Sequence, residues 1–142
     1  MTEPTGPALA AIHHVALTVT DLDTSVAWYE RVLGFERAAE VPHYQARSAG
    51  HGVMLLHPDS DLPVVLHHHD ANAKEPFSES RTGMDHVGLA VPTRGQLDEW
   101  RERFAEMGVT QSPIVDLEEY EVSVLVFRDP DDIQLELVAP IR

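Results

Sequence analysis

The chain contains one segment twice. Ile12-His13-His14-Val15-Ala16-Leu17-Thr18-Val19 is matched 72 residues later by Met84-Asp85-His86-Val87-Gly88-Leu89-Ala90-Val91, and Trp28 and Trp100 keep the same offset. Gly34-Phe35 and Gly108-Val109 follow the tryptophans, and Pro63-Val64-Val65-Leu66-His67 mirrors Asp132-Ile133-Gln134-Leu135-Glu136. Self-similarity at a long fixed period means one supersecondary unit used twice, and it constrains every later assignment.

Each unit opens with a strand of alternating polarity, at 12–19 and 84–91. A helix follows, capped by Asp21 or Asp23 in the first half and by Thr93 in the second. Val26, Tyr29, Val32 and Leu33 recur at helical spacing, as do Leu97, Trp100, Phe104 and Met107, so these are core positions and the tryptophans belong with them. Gly34 and Gly108 suit helix C-termini. Three strands then complete each half: 35–42, 51–57 and 63–69 in the first, 109–116, 120–128 and 133–138 in the second. The pattern is βαβββ twice, an α+β fold of two tandem modules. A curled mixed sheet forms a cup, with the helices on its outer face. The 142 residues suit a single domain, with modules at about 9–70 and 83–140, a polar linker at about 71–82 and a flexible N-terminus at 1–8.

Side chains alternate across a strand, so parity assigns faces. Val15, Leu17 and Val19 pack under the first helix, as Val87, Leu89 and Val91 do under the second, leaving His14, Ala16, Thr18 and His86, Gly88, Ala90 on the cup side. The small neighbours of each histidine leave room for a ligand. On the closing strands, His67 and Glu136 stand at places that the repeat makes equivalent. His14, His67, His86 and Glu136 are thus four candidate metal ligands. Imidazoles and a carboxylate suit a borderline divalent ion: Fe, Mn, Co, Ni or Zn. Open positions on such an ion would accept a small molecule with two adjacent oxygens, and the ion would act as a Lewis acid or bind O₂ as well. Glu136 is also the candidate catalytic base.

Composition narrows the partners. Ten Lys+Arg against 24 Asp+Glu leave a net charge of −14 with histidines neutral, which opposes binding to nucleic acid or to anionic membrane surfaces. No apolar run approaches the roughly 20 residues of a membrane helix, and the first residues lack the features of a signal peptide, so a cytoplasmic location is expected. The absence of cysteine removes disulfides, thiolate nucleophiles and Cys-based metal sites.

His13–Val19, Gly83–Val91 and Phe127-Arg128-Asp129-Pro130-Asp131-Asp132-Ile133-Gln134-Leu135-Glu136-Leu137 together resemble the vicinal oxygen chelate superfamily over about residues 9–139. That superfamily includes glyoxalases, extradiol dioxygenases, epimerases and fosfomycin and bleomycin resistance proteins. The resemblance implies metal ligands on the first and last strands of each module: His14, His67, His86 and Glu136. It also implies a homodimer with cups at or near the subunit interface. Asp132 stands where relatives usually carry glycine, and Asp tolerates the left-handed turn required there. Position 67 is often Glu or Gln in relatives, and His69, on the same face, is its substitute. Phe77-Ser78-Glu79-Ser80-Arg81-Thr82-Gly83 resembles a flank found in glyoxalase-like members. A glutathione-dependent reaction needs cationic side chains, for which Arg47, Arg81 and Arg128 are the few candidates.

Each of these residues also has an ordinary structural role open to it. A strand histidine commonly bonds a backbone carbonyl, and a strand glutamate commonly faces solvent. His68 reads as structural or exposed, His43, His51 and His57 as decorating strands or loops, and Glu118-Glu119 as a solvated turn. The leading reading is a divalent-metal-dependent lyase or isomerase of glyoxalase type acting on a small metabolite with vicinal oxygens. Without His67, the set His14, His86 and Glu136 becomes a two-histidine, one-carboxylate triad, which points to an Fe(II) extradiol-type dioxygenase. A metal-free drug- or metabolite-binding protein is the third reading; an aromatic content of only 6% offers it little stacking surface.

Overall fold

The computed structural model describes residues 6–43 and 49–142. Eight strands and two helices follow in the expected order. The first module comprises β1 (Val15–Thr18), α1 (Leu22–Trp28, whose last turn widens to π geometry over Tyr29–Leu33), β2 (Glu36–Pro42), β3 (Gly50–His57) and β4 (Ser60–His69). The second comprises β5 (Val87–Ala90), α2 (Arg94–Glu106), β6 (Val115–Leu117), β7 (Val122–Arg128) and β8 (Gln134–Pro140). The sheets have orders β1-β4-β3-β2 and β5-β8-β7-β6. In each, the first and last strands pair in parallel and the rest antiparallel, because the helix crosses over between β1 or β5 and the hairpins that follow. They remain two four-stranded sheets and do not close on one another.

Local chemistry explains the helix limits. Asp21 caps α1 by accepting from the Thr24 N–H at 2.9 Å. Thr93 caps α2 in a reciprocal box with Gln96. Gly34 closes the π turn at φ 82°, a left-handed conformation that suits a residue without Cβ. Asp132 indeed takes the left-handed turn expected of it, at φ 64°.

The two modules share one core. Leu17, Val53, Leu55, Val64 and Leu66 of the first sheet and Leu125, Phe127, Leu135 and Leu137 of the second belong to the same buried cluster as Val26, Tyr29, Val32, Leu97 and Phe104 from the helices. Phe127 lies against both helices, stacked on Trp28 at 6.4 Å and tilted against Phe104 at 4.5 Å. Trp28 and Trp100 border this core half-buried, and Tyr29 and Phe104 fill its centre. Polar ties cross between modules as well. Tyr29 Oη donates to Asp129 at 2.9 Å, Thr20 binds the Asp131 carboxylate, and Arg103 of α2 donates to the Val32 and Arg31 carbonyls at 3.0 and 2.7 Å. These carbonyls end the first helix, where a cation is favoured.

Several strand boundaries differ from expectation, three of them with consequences. The strands expected at 12–19 and 84–91 begin only at Val15 and Val87, so His14 and His86 immediately precede their strands. The strand expected at 109–116 is reduced to Val115–Leu117, with an isolated bridge from Gln111 to Phe127. Pro113 has no N–H to give to a ladder and separates the two pieces. Glu118 and Glu119 lie in an exposed 3₁₀ turn, as expected.

Asp129 is buried with one oxygen accepting the Asp131 and Ile133 N–H groups at 2.8 and 2.9 Å and the other facing Tyr29. Burial raises its pKa from 3.8 to about 6, against the opposing pull of those hydrogen bonds. Between these values the folded chain holds a proton that the unfolded chain has released, so this group's contribution falls as pH rises through that window. The half-buried His67 and His69, whose pKa values burial lowers, act in the opposite sense, so the comparison must be differential. Asp129→Asn therefore gains stability relative to the native chain as pH rises from about 4 to 7, as read from urea denaturation at several pH values. A constant difference across that range contradicts the assignment.

Candidate functional site

Each sheet has one face in the core and one turned away from it. On the open face of the second sheet, Glu136 of β8 lies opposite Gly88 of β5, and the buried Leu135 and Leu137 on either side of it fix its direction. His86, two residues before Gly88, turns its ring onto the same ground: His86 Nε2 is 3.4 Å from Glu136 Oε2. The other ring nitrogen, Nδ1, lies 2.7 Å from Asp85 Oδ1. Asp85 is the nearest sequence neighbour of His86, and sequence reading missed it. An acidic residue immediately before a candidate ligand was the available signal.

This arrangement has a direct chemical consequence. Donation from Nδ1 to Asp85 leaves a lone pair on Nε2 of the neutral imidazole, facing a carboxylate oxygen that also only accepts. Two acceptors face each other, and either a second ring proton or a bound cation resolves the clash. In the absence of a cation the surroundings favour the protonated ring: the hydrogen bond to Asp85, and secondarily the Glu136 charge, raise the His86 pKa from its ordinary value against partial burial. With a cation, the same two atoms become a nitrogen and an oxygen ligand, with Asp85 orienting the imidazole as outer-shell carboxylates do. His86 and Glu136 thus fit a divalent metal ion.

His14 lies on the other sheet, one residue before β1, where its Nδ1 is hydrogen-bonded to Nδ1 of His13 at 2.9 Å. The repeat places His13 where Asp85 stands, so both candidate histidines are held at Nδ1 by the preceding residue, and neither bond occupies Nε2. His67 requires a correction. Ala16 pairs with Val65 and Thr18 with His67, whereas Gly88 pairs with Glu136 and Ala90 with Val138. Ala16 and Gly88 are repeat equivalents, so the counterpart of Glu136 is Val65, and His67 corresponds to Val138. The sequence match of 63–67 to 132–136 is two residues out of register. An even slip keeps the face and so escapes a parity argument. His67 lies about 7 Å further along the strand than a ligand equivalent to Glu136 would.

The four predicted residues therefore fall into separate places. His86 and Glu136 are together; His14 and His67 are on the first sheet. Among the described residues, no three His, Asp or Glu side chains are arranged to share one ion. His67 has other company: its ring centroid is 4.7 Å from that of His43 and 6.3 Å from that of His69. His57 is structural, its Nε2 donating to the Leu33 carbonyl at 2.9 Å, and His68 pairs with Asp70 at 3.0 Å. Of the cationic candidates, Arg128 is committed to a bidentate pair with Glu79, at 3.0 and 2.9 Å, which fastens the linker to the second module and holds the Glu79 carboxyl down at about 2. Arg81 pairs with Glu75 at 3.0 Å, and Arg47 lies outside the described residues.

If Asp85 sets the state of the His86 ring, Asp85→Asn lowers the His86 pKa toward 6.5, followed by histidine proton resonances in metal-free protein. If the pair holds a metal ion, the same variant weakens that binding by about 10- to 100-fold. An unmoved His86 resonance assigns its protonation to Glu136 instead.

Comparison with known proteins identifies the family of the fold. The family model described as Glyoxalase/Bleomycin resistance protein/Dioxygenase superfamily matches residues 11–137. A glyoxylase/bleomycin resistance protein/dioxygenase domain from Frankia sp. EAN1pec is 32% identical, with 94% of this chain and 99% of that one covered and a TM-score of 0.81. The provisionally named ring-cleaving dioxygenase MhqA of Bacillus subtilis (strain 168) is 27% identical over 131 residues, covering 90% of this chain but 40% of MhqA, so the chain spans about two fifths of that relative. The fosfomycin resistance protein FosX from Listeria monocytogenes, solved with Mn(II) and sulfate, shares the fold at a TM-score of 0.65 and 20% identity, with 93% of each chain covered. No described helix is long and apolar enough to cross a membrane. The chain belongs to the Glyoxalase/Bleomycin resistance protein/Dioxygenase superfamily.

Proposed function

We propose that the chain is a divalent-metal-dependent enzyme acting on a small molecule with vicinal oxygens, and that its centre is the triad His14, His86 and Glu136. The observation that carries this reading is the approach of His86 Nε2 to Glu136 at 3.4 Å with Nδ1 held by Asp85. His14 is the repeat equivalent of His86 but is not part of the same ion-sized cluster. A second copy therefore supplies it, and the working form is a homodimer with two composite sites. Val65 at the place equivalent to Glu136 leaves the triad without a fourth ligand from β4.

A two-histidine, one-carboxylate set with open positions favours Fe(II) and O₂ chemistry over the four-ligand lyase or isomerase arrangement, and the likeness to MhqA supports the same class. The reaction proposed is ring cleavage of a catechol-type substrate. When bound, the metal supplies charge stabilisation for the substrate oxygens and a place for O₂. The chain's own residues do the rest: Asp85 and His13 orient the imidazoles, Gly88, Ala90, Ala16 and Thr18 keep the open faces shallow for a ligand, and Glu136 holds negative charge at the centre.

Untagged protein purified without a nickel column, assayed for metals by elemental mass spectrometry, contains iron and takes up O₂ equimolar with catechol, and Glu136→Ala loses both. Turnover without O₂ on zinc, nickel, cobalt or manganese transfers the assignment to the lyase or isomerase class, with Glu136 as the base. Protein that refuses every metal transfers it to metabolite binding. The composite site has its own test. His14→Ala and His86→Ala each fail to bind metal alone. After the two are unfolded and refolded together, half of the dimers are mixed and each carries one intact site, about a quarter of an equivalent per chain. No recovery on mixing places all three ligands in one chain.

A further inference from the structure

Gln134 stands two residues before Glu136 on β8, with the buried Leu135 between them, so both side chains are on the open face of the second sheet. β8 lies between β7 and β5. At the level of Gln134, β7 carries Arg128, and on the other side His86 precedes Val87, the partner of Leu135. Gln134 is thus flanked by Arg128 and His86, about 7 Å along the strand from Glu136.

The Arg128 guanidinium settles how this amide is turned. Its Nη1 donates to Glu79 at 3.0 Å and to the Asp132 carbonyl at 3.1 Å, and its Nη2 donates to Glu79 at 2.9 Å and to Gln134 Oε1 at 3.1 Å. These bonds commit all four terminal N–H groups of Arg128. A guanidinium can only donate, so Gln134 must present its oxygen to it and not its nitrogen. The planar amide then carries Nε2 on the opposite side, toward β5 and His86. Among the described residues Nε2 has no hydrogen-bond partner. Val126, which pairs with Glu136, and Val138, two residues beyond it on the same face, offer no donor.

We propose that Gln134 determines specificity by donating from Nε2 to an oxygen of the substrate held beside His86 and Glu136, with Arg128 and Glu79 as positioning residues that fix the amide. With Oε1 occupied, the amide meets the substrate as a donor alone. It therefore selects compounds that place an ionised or carbonyl oxygen there over analogues with hydrogen in its place, because a site built to bond an oxygen rejects the analogue lacking it. This role rests on the proposed metal centre for the position of the substrate.

The test uses zinc-loaded protein, with catechol and phenol as probes and the side-chain amide resonances of Gln134 as the readout. Catechol shifts those resonances saturably. Gln134→Leu binds catechol about tenfold more weakly with phenol unchanged. Gln134→Glu keeps an oxygen for Arg128 but replaces the donor by an acceptor, and it weakens catechol binding at least as much. Catechol binding by Gln134→Glu equal to native overturns the proposal, because the side chain then serves Arg128 alone. Unmoved Gln134 resonances, or equal losses for catechol and phenol in Gln134→Leu, overturn it too. Binding that needs zinc but is indifferent to Gln134 removes the donor and leaves the metal centre standing. Binding that needs Gln134 but not zinc supports the donor and removes the metal centre. Native protein that does not bind catechol overturns both.

Discussion

Everything functional in this protein depends on the two modules burying their helices in one common core. Phe127, from the second sheet, lies against Trp28 of α1 and Phe104 of α2, and Tyr29 reaches across to the buried Asp129. Because each sheet gives only one face to that core, the other face is left for chemistry. Arg103 reinforces the arrangement by donating to the carbonyls that end the first helix, and Arg128 fastens the linker through Glu79. The Tyr29–Asp129 and Arg103 ties connect elements about 70 to 100 residues apart in sequence, so they define how one module sits on the other rather than how either forms.

The candidate site inherits its character from the open faces. On the second sheet, small residues at Gly88 and Ala90 flank a histidine and a carboxylate that stand 3.4 Å apart. A pair so disposed suits either a second ring proton or a cation. The first sheet has the complementary character, with histidines collected on one face over a glycine floor. The two halves of the repeat thus share one frame while carrying different side chains on their open faces.

Much of this was legible in the residues. Period-2 alternation placed Leu17, Leu135 and Leu137 in the core, because burial of one sheet face enforces strict parity. Asp21, Thr93 and Gly34 announced the helix limits because capping is local chemistry. Pro113 could have warned that 109–116 would not pair throughout, since proline has no N–H to offer a ladder. The register of β4 was not legible: a two-residue slip conserves parity, so His67 was assigned the place that the pairing of Ala16 with Val65 gives to Val65. Nor was the gathering of His43 with His67 and His69, which depends on three strands meeting side by side.

The sequence by itself determined the repeated βαβββ module, its caps, its core faces and the pairing of His86 with Glu136 on one face, since all of these follow from local propensity and from side-chain periodicity along single strands. Tertiary structure decided the register of the closing strands, the separation of His14 from the His86–Glu136 pair, and the assembly of the histidine group. The physical reason is that hydrogen-bond registers and helix–sheet packing are set by contacts between distant segments, where alternatives two residues apart bury the same apolar surface and only the completed core selects among them.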